Sequence, residues 1–459
     1  MSGSDIANPA LESHAASRAR KDSLFFFFLG SVIFLLMGTA LEMAAPVTTV
    51  DFRVVYYSAR CLLHHRDPYN ASDLSNTYHE EGGESVRDSP QIRRSERMYN
   101  YLPTAFPITL PFALFPFEIA HRLWLAFTVL SLGLASYLVW DVAARSAPLL
   151  AGILVGLSLA SSELFLILGN PAGIAVALCV IGVWCLDQQK FVFAGLICFA
   201  LSLMLKPHDG GLIWLYLLVS GPMNRRRALQ ILGLVILFSL PILLWLGHLA
   251  PGWFHELQAT FATYSSHGDV NDPGPSSMAS HGIGMVINLQ APLSLFRDDQ
   301  HFYNPLTYLI CGPLLIYWLI LVVRSSQRDM IDWFALGPVA ALSMLPVYHR
   351  IYDARLLLVA IPVCACLQVR RGMMRWVIVA ACTIAIAITG GMPWAIFLLL
   401  LKQGHLQAFA SSPHLLVALQ VAPVPLMLLV VGSLLMWAFV RHESEMSHRS
   451  LTLEQQKTT

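Results

Sequence analysis

Four short stretches of this 459-residue chain set polar, titratable side chains between long apolar runs. The first, Val50-Asp51-Phe52-Arg53-Val54-Val55-Tyr56-Tyr57, places a carboxylate just after an apolar run and opens a weakly amphipathic, helix-like segment reaching about Leu63. Asp suits a helix N-cap; the other reading is a general base facing an interfacial cavity, which needs the carboxylate free. The second, Gly169-Asn170-Pro171, breaks a hairpin, and Asn170 either caps a helix or bonds a ligand hydroxyl. In the third, Lys206-Pro207-His208-Asp209, a snorkelling Lys is common at a bilayer edge, yet this compact cationic cluster at a proline break could hold a phosphate. The fourth is Tyr348-His349-Arg350-Ile351-Tyr352-Asp353. Arg350 there is an interfacial anchor or a phosphate clamp, with His349 beside it as a hydrogen-bonding group.

The elements that must position these residues are membrane spans. Hydrophobic residues make up 56% of the chain and charged residues 12%, against ~25% charged in soluble domains, and the apolar residues come in repeated long runs. The net charge of +1 gives no general pull toward nucleic acid. Basic residues fix orientation, because cytoplasmic loops carry excess Lys and Arg. Arg18, Arg20 and Lys21, the Arg225-Arg226-Arg227 triplet, Arg324 with Arg328, Arg370-Arg371 with Arg375, and Arg441 are all expected inside.

Parity is satisfied by about twelve crossings, at roughly 24–44, 117–140, 147–168, 171–187, 190–206, 208–222, 227–249, 303–323, 332–348, 353–369, 375–390 and 413–440. Both termini are then cytoplasmic, in a cell inner (plasma) membrane, with tails at 1–23 and 442–459 flanking a transmembrane domain over 24–441. The runs near 171–187 and 208–222 fall short of the ~20 residues a spanning helix needs, so burial in protein or local thinning is expected there. The proline-rich run 104–116 reads as re-entrant, interfacial or a kinked span. Outer loops are expected at about 45–103 and 250–302; the middle of the first, 70–98, reads as a surface excursion, and Asn271–Ser277 as a flexible stretch able to act as a lid. This topology delivers all four polar breaks to the outer side.

Other constellations are weak. Seven of the eight cysteines lie in apolar runs and suit small hydrophobic packing. His64-His65 lacks a third metal ligand, and no spacing demands a metal, although Asp51 and Asp353 could share a divalent cation. There is no Gly-x-Ser-x-Gly elbow and no phosphate loop; Ser276-Ser277 with His267 and His281 make a triad only by free choice. The run 24–44 is read as an uncleaved span, since no clean cleavage site follows it.

At these residues the sequence resembles glycosyltransferase family 87, polytopic mannosyltransferase-like enzymes of GT-C architecture. The resemblance rests on Asp51-Phe52-Arg53-Val54-Val55-Tyr56-Tyr57, Asp67-Pro68-Tyr69, Tyr101-Leu102-Pro103, the Gly169-Asn170 break, Leu205-Lys206-Pro207, and Tyr348-His349-Arg350 with Asp353. It covers about two-thirds of the chain. Asn170 stands where many relatives would carry Gln, and the 70–98 insertion is a second departure. The resemblance implies an all-α helical bundle of about twelve spans. It also implies transfer of a sugar, mannose foremost, from a polyprenyl-phosphate donor to a lipid or glycan acceptor at the outer face, with no cofactor. Asp51 matches the family's acidic residue after the first span, the expected base. A lipid phosphate leaves as a weakly basic anion, so one carboxylate suffices for in-line attack with inversion.

Lys206, Arg350 and His208 are then expected to hold the donor phosphate, and His349 to stabilise it or orient Asp51 or the acceptor. Tyr56, Tyr57, Tyr101, Asn170 and Asp353 are expected at the sugar and acceptor. Two alternatives stand beside this reading. A lipid-linked glycan ligase or polymerase would share the leaving group. A transporter or flippase would need ionisable groups at span midpoints, where Glu163 is the lone clear acid.

Overall fold

Long apolar runs satisfy their backbone polar groups only as helices where no water is available, and the chain is 80% helical. A computed structural model describes residues 9–44, 49–81, 98–269, 271–275, 286–325, 330–370, 372–403 and 413–458; among these no strand is present. Among the described residues, seven helical segments are long and apolar enough to cross a membrane: Arg18–Ala44, Phe117–Ala143, Pro148–Leu168, Pro222–Leu249, Gln300–Arg324, Ile351–Val369 and Pro423–His448. Four more apolar helices are shorter: Ala172–Asp187, Val192–Leu205, Trp333–Leu342 and Met374–Ile388. The chain is thus an all-α, multi-pass membrane protein. Of the twelve expected spans, seven reach spanning length by themselves.

Burial explains the shorter ones. The Ala172–Asp187 helix is buried all round, Ile174, Val176, Val180 and Val183 included, so its neighbours rather than lipid receive its side chains. The segment Ile351–Val369 is 89% buried across its most apolar window, against 17% for Arg18–Ala44 and for Pro222–Leu249. Those two long helices turn Phe25, Phe28, Leu36, Ile236, Leu237 and Leu244 outward, as lipid contact requires.

Small residues bring the first helix, Pro9–Ala44, against Pro148–Ala160. A Cβ on Gly30 would stand 2.1 Å from the Gly156 carbonyl oxygen, and one on Gly156 would stand 2.3 Å from that of Phe26. Backbones approach this closely only at glycine, a common packing device between membrane helices. Gly156→Val is expected to push the pair apart and cost about 1–3 kcal/mol, read as a lower unfolding midpoint in detergent; an unchanged midpoint would show that the contact is dispensable.

Of three regions read from the sequence, the first stays within its non-crossing reading and the other two differ from theirs. The run 104–116 contains a 3₁₀ turn, Pro103–Ala105, and an eight-residue helix, Phe106–Ala113. At ~1.5 Å per residue this helix is far too short to cross a ~30 Å hydrocarbon core. Part of the 70–98 excursion is helical: Ala71–Glu80 is a helix that buries Leu74, Thr77 and Tyr78. Asn70 caps it by accepting from the Ser72 and Asp73 amides, a cap-and-acid signal that its polar composition obscured. Residues 82–97 of that stretch lie outside the described residues, as do Ser276, Ser277 and His281. Finally, the helix carrying Asp51 begins at Val50, with Thr49 at the cap position in a left-handed conformation. Asp51 sits in the first turn and is not the cap.

Candidate active site

The break at Gly169-Asn170 organises one side of the site. Gly169 adopts φ +64°, and a Cβ there would meet the Phe52 Cβ at 2.7 Å, so glycine is required both by conformation and by contact. Trp124 Nε1 donates to the Gly169 carbonyl at 2.8 Å, and the Thr49 amide donates to the Ile167 carbonyl at 2.7 Å. The start of the Val50–Leu63 helix is thereby fixed to this break. Asn170 then works in two directions. Its Oδ1 accepts from the Ala172 amide at 2.8 Å, capping the next helix, while its Nδ2 donates to Asp51 Oδ2 at 2.7 Å and to the Tyr352 hydroxyl at 2.8 Å.

The second side is built from the Lys206 and Tyr348–Asp353 breaks. Lys206 ends the Val192–Leu205 helix and is buried, its ammonium paired with the Asp353 carboxylate and lying 3.8 Å from Asp209 Oδ2. It also lies over the Tyr352 ring, 5.2 Å from the centroid. Asp353 uses its other oxygen to accept from the Arg350 amide at 2.8 Å, closing the start of a 3₁₀ segment, Ile351–Ala360. The Arg350 side chain donates to the Tyr348 hydroxyl. Asp209 Oδ1 lies 3.5 Å from His349 Nε2 and 3.6 Å from His208 Nε2, and the two imidazoles meet edge to face with centroids 4.7 Å apart. The segment that follows residue 285 braces this side, since the Ile287 amide donates to the His349 carbonyl and the Leu289 amide to that of Leu345.

Residues from four breaks far apart in sequence are therefore one network: Asp51, Asn170, Lys206, His208, His349, Arg350 and Asp353, joined by Tyr352, Tyr348 and Asp209. The last three belong to motifs legible in the sequence without having been singled out as site residues; the signal was their place two or three positions from Arg350 and Lys206. Burial pushes the Asp51 carboxyl above the usual aspartate value, partly offset by the Asn170 hydrogen bond and by the positive charges of Arg350 and Lys206. A partly buried carboxylate held by one oxygen beside two cations is suited to proton abstraction near a developing negative charge.

Tyr101 also lies within the electrostatic reach of Asp51 and Tyr348. The Asp67-Pro68-Tyr69 turn helps place it: Asp67 accepts from the Tyr69 amide, and the Tyr69 hydroxyl donates to the Tyr101 carbonyl at 2.9 Å. Tyr56 and Tyr57 are elsewhere. Both are buried in an aromatic cluster with Phe52, Phe117 and Tyr78, and the Tyr56 hydroxyl donates to the Phe115 carbonyl at 2.8 Å. Their rings are taken up in packing against these neighbours. Glu163, the acid relevant to a transport reading, is buried; its Oε1 accepts from the Met392 amide at 2.8 Å, and its Oε2 has no hydrogen-bond partner among the described residues.

The model of glycosyltransferase family 87 matches residues 99–286. That span contains Tyr101, Asn170, Lys206, His208 and Asp209, while Asp51 and the Tyr348–Asp353 segment fall outside it. No curated protein and no solved structure matches the chain. The family that the residues resemble is the family whose model matches: across residues 99–286 the chain is similar to glycosyltransferase family 87, and that similarity indicates a membrane glycosyltransferase.

Proposed function

We propose that this glycosyltransferase moves a sugar, mannose foremost, from a polyprenyl-phosphate donor to a lipid or glycan acceptor at the outer face of the plasma membrane. The observation that carries the reading is the single carboxylate of Asp51, held through Oδ2 by Asn170 and influenced electrostatically by Lys206 and Arg350. Oδ1 of Asp51 takes the acceptor hydroxyl proton as that oxygen attacks the anomeric carbon. The bond from that carbon to the phosphate oxygen breaks, and its electron pair leaves with the polyprenyl phosphate. Arg350 and Lys206 lower the energy of that departing charge. Asp51 alone is assigned the base role, because His349 faces Asp209. Both termini on the cytoplasmic side is the orientation that puts the site outside.

The test is transfer by the purified chain in lipid nanodiscs from a panel of polyprenyl-phosphate and nucleotide-activated sugars. Transfer confined to lipid-phosphate donors is expected; transfer from nucleotide sugars alone would remove the reading.

The pH dependence gives a finer check. Asp51 must be ionised, so kcat/KM is expected to rise with pH through its pKa, with the acid limb above the ordinary aspartate value of 3.8. The Asn170 bond favours the charged form, so Asn170→Ala should raise that pKa further and move the limb to higher pH. A limb that stays in place, or moves down, would show that Asn170 does not act on the base.

A further inference from the structure

Asp209 is 2% exposed and His349 1% exposed, and neither Asp209 carboxylate oxygen has a hydrogen-bond partner. The Nε2 atoms of His208 and His349 are likewise buried without one. His349 Nδ1 lies 3.2 Å from the Val347 carbonyl, a contact in which Nδ1 donates, so that in the neutral ring Nε2 presents a lone pair. That lone pair faces Asp209 Oδ1, itself an acceptor, at 3.5 Å, with His208 Nε2 3.6 Å from the same oxygen. Charge-assisted hydrogen bonds close to ~2.7–2.9 Å; these gaps are too long. They equal the edge of a tetrahedron around a metal ion, about 3.4 Å for metal–ligand bonds of ~2.0–2.2 Å. All three ligand atoms fall within 4.8 Å of one another.

We infer that His208, Asp209 and His349 form a site for a divalent transition-metal ion of the zinc class, held by two imidazoles and one carboxylate. Imidazole and carboxylate together suit zinc better than magnesium or calcium, and three protein ligands leave one tetrahedral position for water or an anionic oxygen. The Val347 carbonyl is the outer partner that orients the His349 ring. Lys206 does not block the ion, since it approaches the other Asp209 oxygen and is paired with Asp353. Charge supplies a second reason. Asp51, Asp209 and Asp353 outnumber Lys206 and Arg350 in this network, so a phosphate would meet a net negative cluster; a dication at Asp209 reverses that sign. The charge argument rests on the lipid-phosphate reading, whereas the ligand geometry does not.

The experiment is zinc binding by the full-length chain, purified without a polyhistidine tag, stripped with chelator and titrated with ZnCl₂ against a competing indicator. CoCl₂ is then used as an optical probe. Wild type and Asp51→Asn are expected to bind about one zinc per chain and to show the visible bands of a four-coordinate cobalt ion. His208→Ala and Asp209→Asn should each bind at least ~10-fold more weakly. His208 is partly exposed, so its variant keeps the test valid if Asp209→Asn fails to fold. Wild-type binding no tighter than that of His208→Ala, or no cobalt bands, overturns the inference. Zinc bound normally by a chain that transfers no sugar from any lipid phosphate would sink the transferase mechanism and leave the metal site standing.

Discussion

Asp51→Asn is expected to slow sugar transfer about 10²–10⁴-fold, the usual range for loss of a positioned general base, in a protein that still folds and binds donor. Asn has nearly the shape of Asp, and its amide oxygen can still accept from Asn170 Nδ2, which now holds Asp51 Oδ2 at 2.7 Å. What disappears is the proton acceptor. Because Thr49, not Asp51, occupies the helix cap position, no cap is lost to confuse the result. The rate is read with labelled donor at saturation, beside donor binding and the unfolding midpoint. Near-normal turnover in the variant would remove Asp51 as the base.

Lys206→Met should have the largest effect on stability. Its ammonium sits between the buried carboxylates of Asp353 and Asp209, and stranding a buried charge costs about 3–5 kcal/mol. Activity should fall too, but an unfolding protein says nothing about phosphate binding. The double variant Lys206→Met/Asp353→Asn separates the two effects. With both ends of the pair neutral, much of the stability is expected to return, while transfer stays at least ~10²-fold down for want of the cation near the leaving group. Recovery of transfer along with stability would make Lys206 a purely structural residue.

Much of this site was legible because polar residues beside membrane spans are costly and few. Asp51, Asn170, Lys206, His349, Arg350 and Asp353 each stand at a break between apolar runs, and positive-inside parity put the breaks on one side before any contact was known. Partner choice was not legible. Whether Lys206 would meet Asp353 or a ligand, and whether His349 would face Asp51 or Asp209, depends on how helices distant in sequence rotate against one another. The two tyrosines after Asp51 show the same limit: position in a motif suggested substrate contact for Tyr56 and Tyr57, whereas helix rotation turned both into the aromatic core. Span length was obscured for another reason. Hydropathy cannot separate a lipid-facing helix such as Pro222–Leu249 from a protein-wrapped one such as Ala172–Asp187, because each carries a long run that is apolar on every side.

In the proposed reaction one carboxylate drives a single in-line displacement at the anomeric carbon. The most direct measurement of it is the anomeric configuration of the transferred sugar, compared by NMR between a configurationally pure polyprenyl-phosphate donor and the isolated product. Inversion in every product molecule is the expected result. Retention would require a second nucleophile or a covalent intermediate, and would contradict the assignment of Asp51 as the lone base.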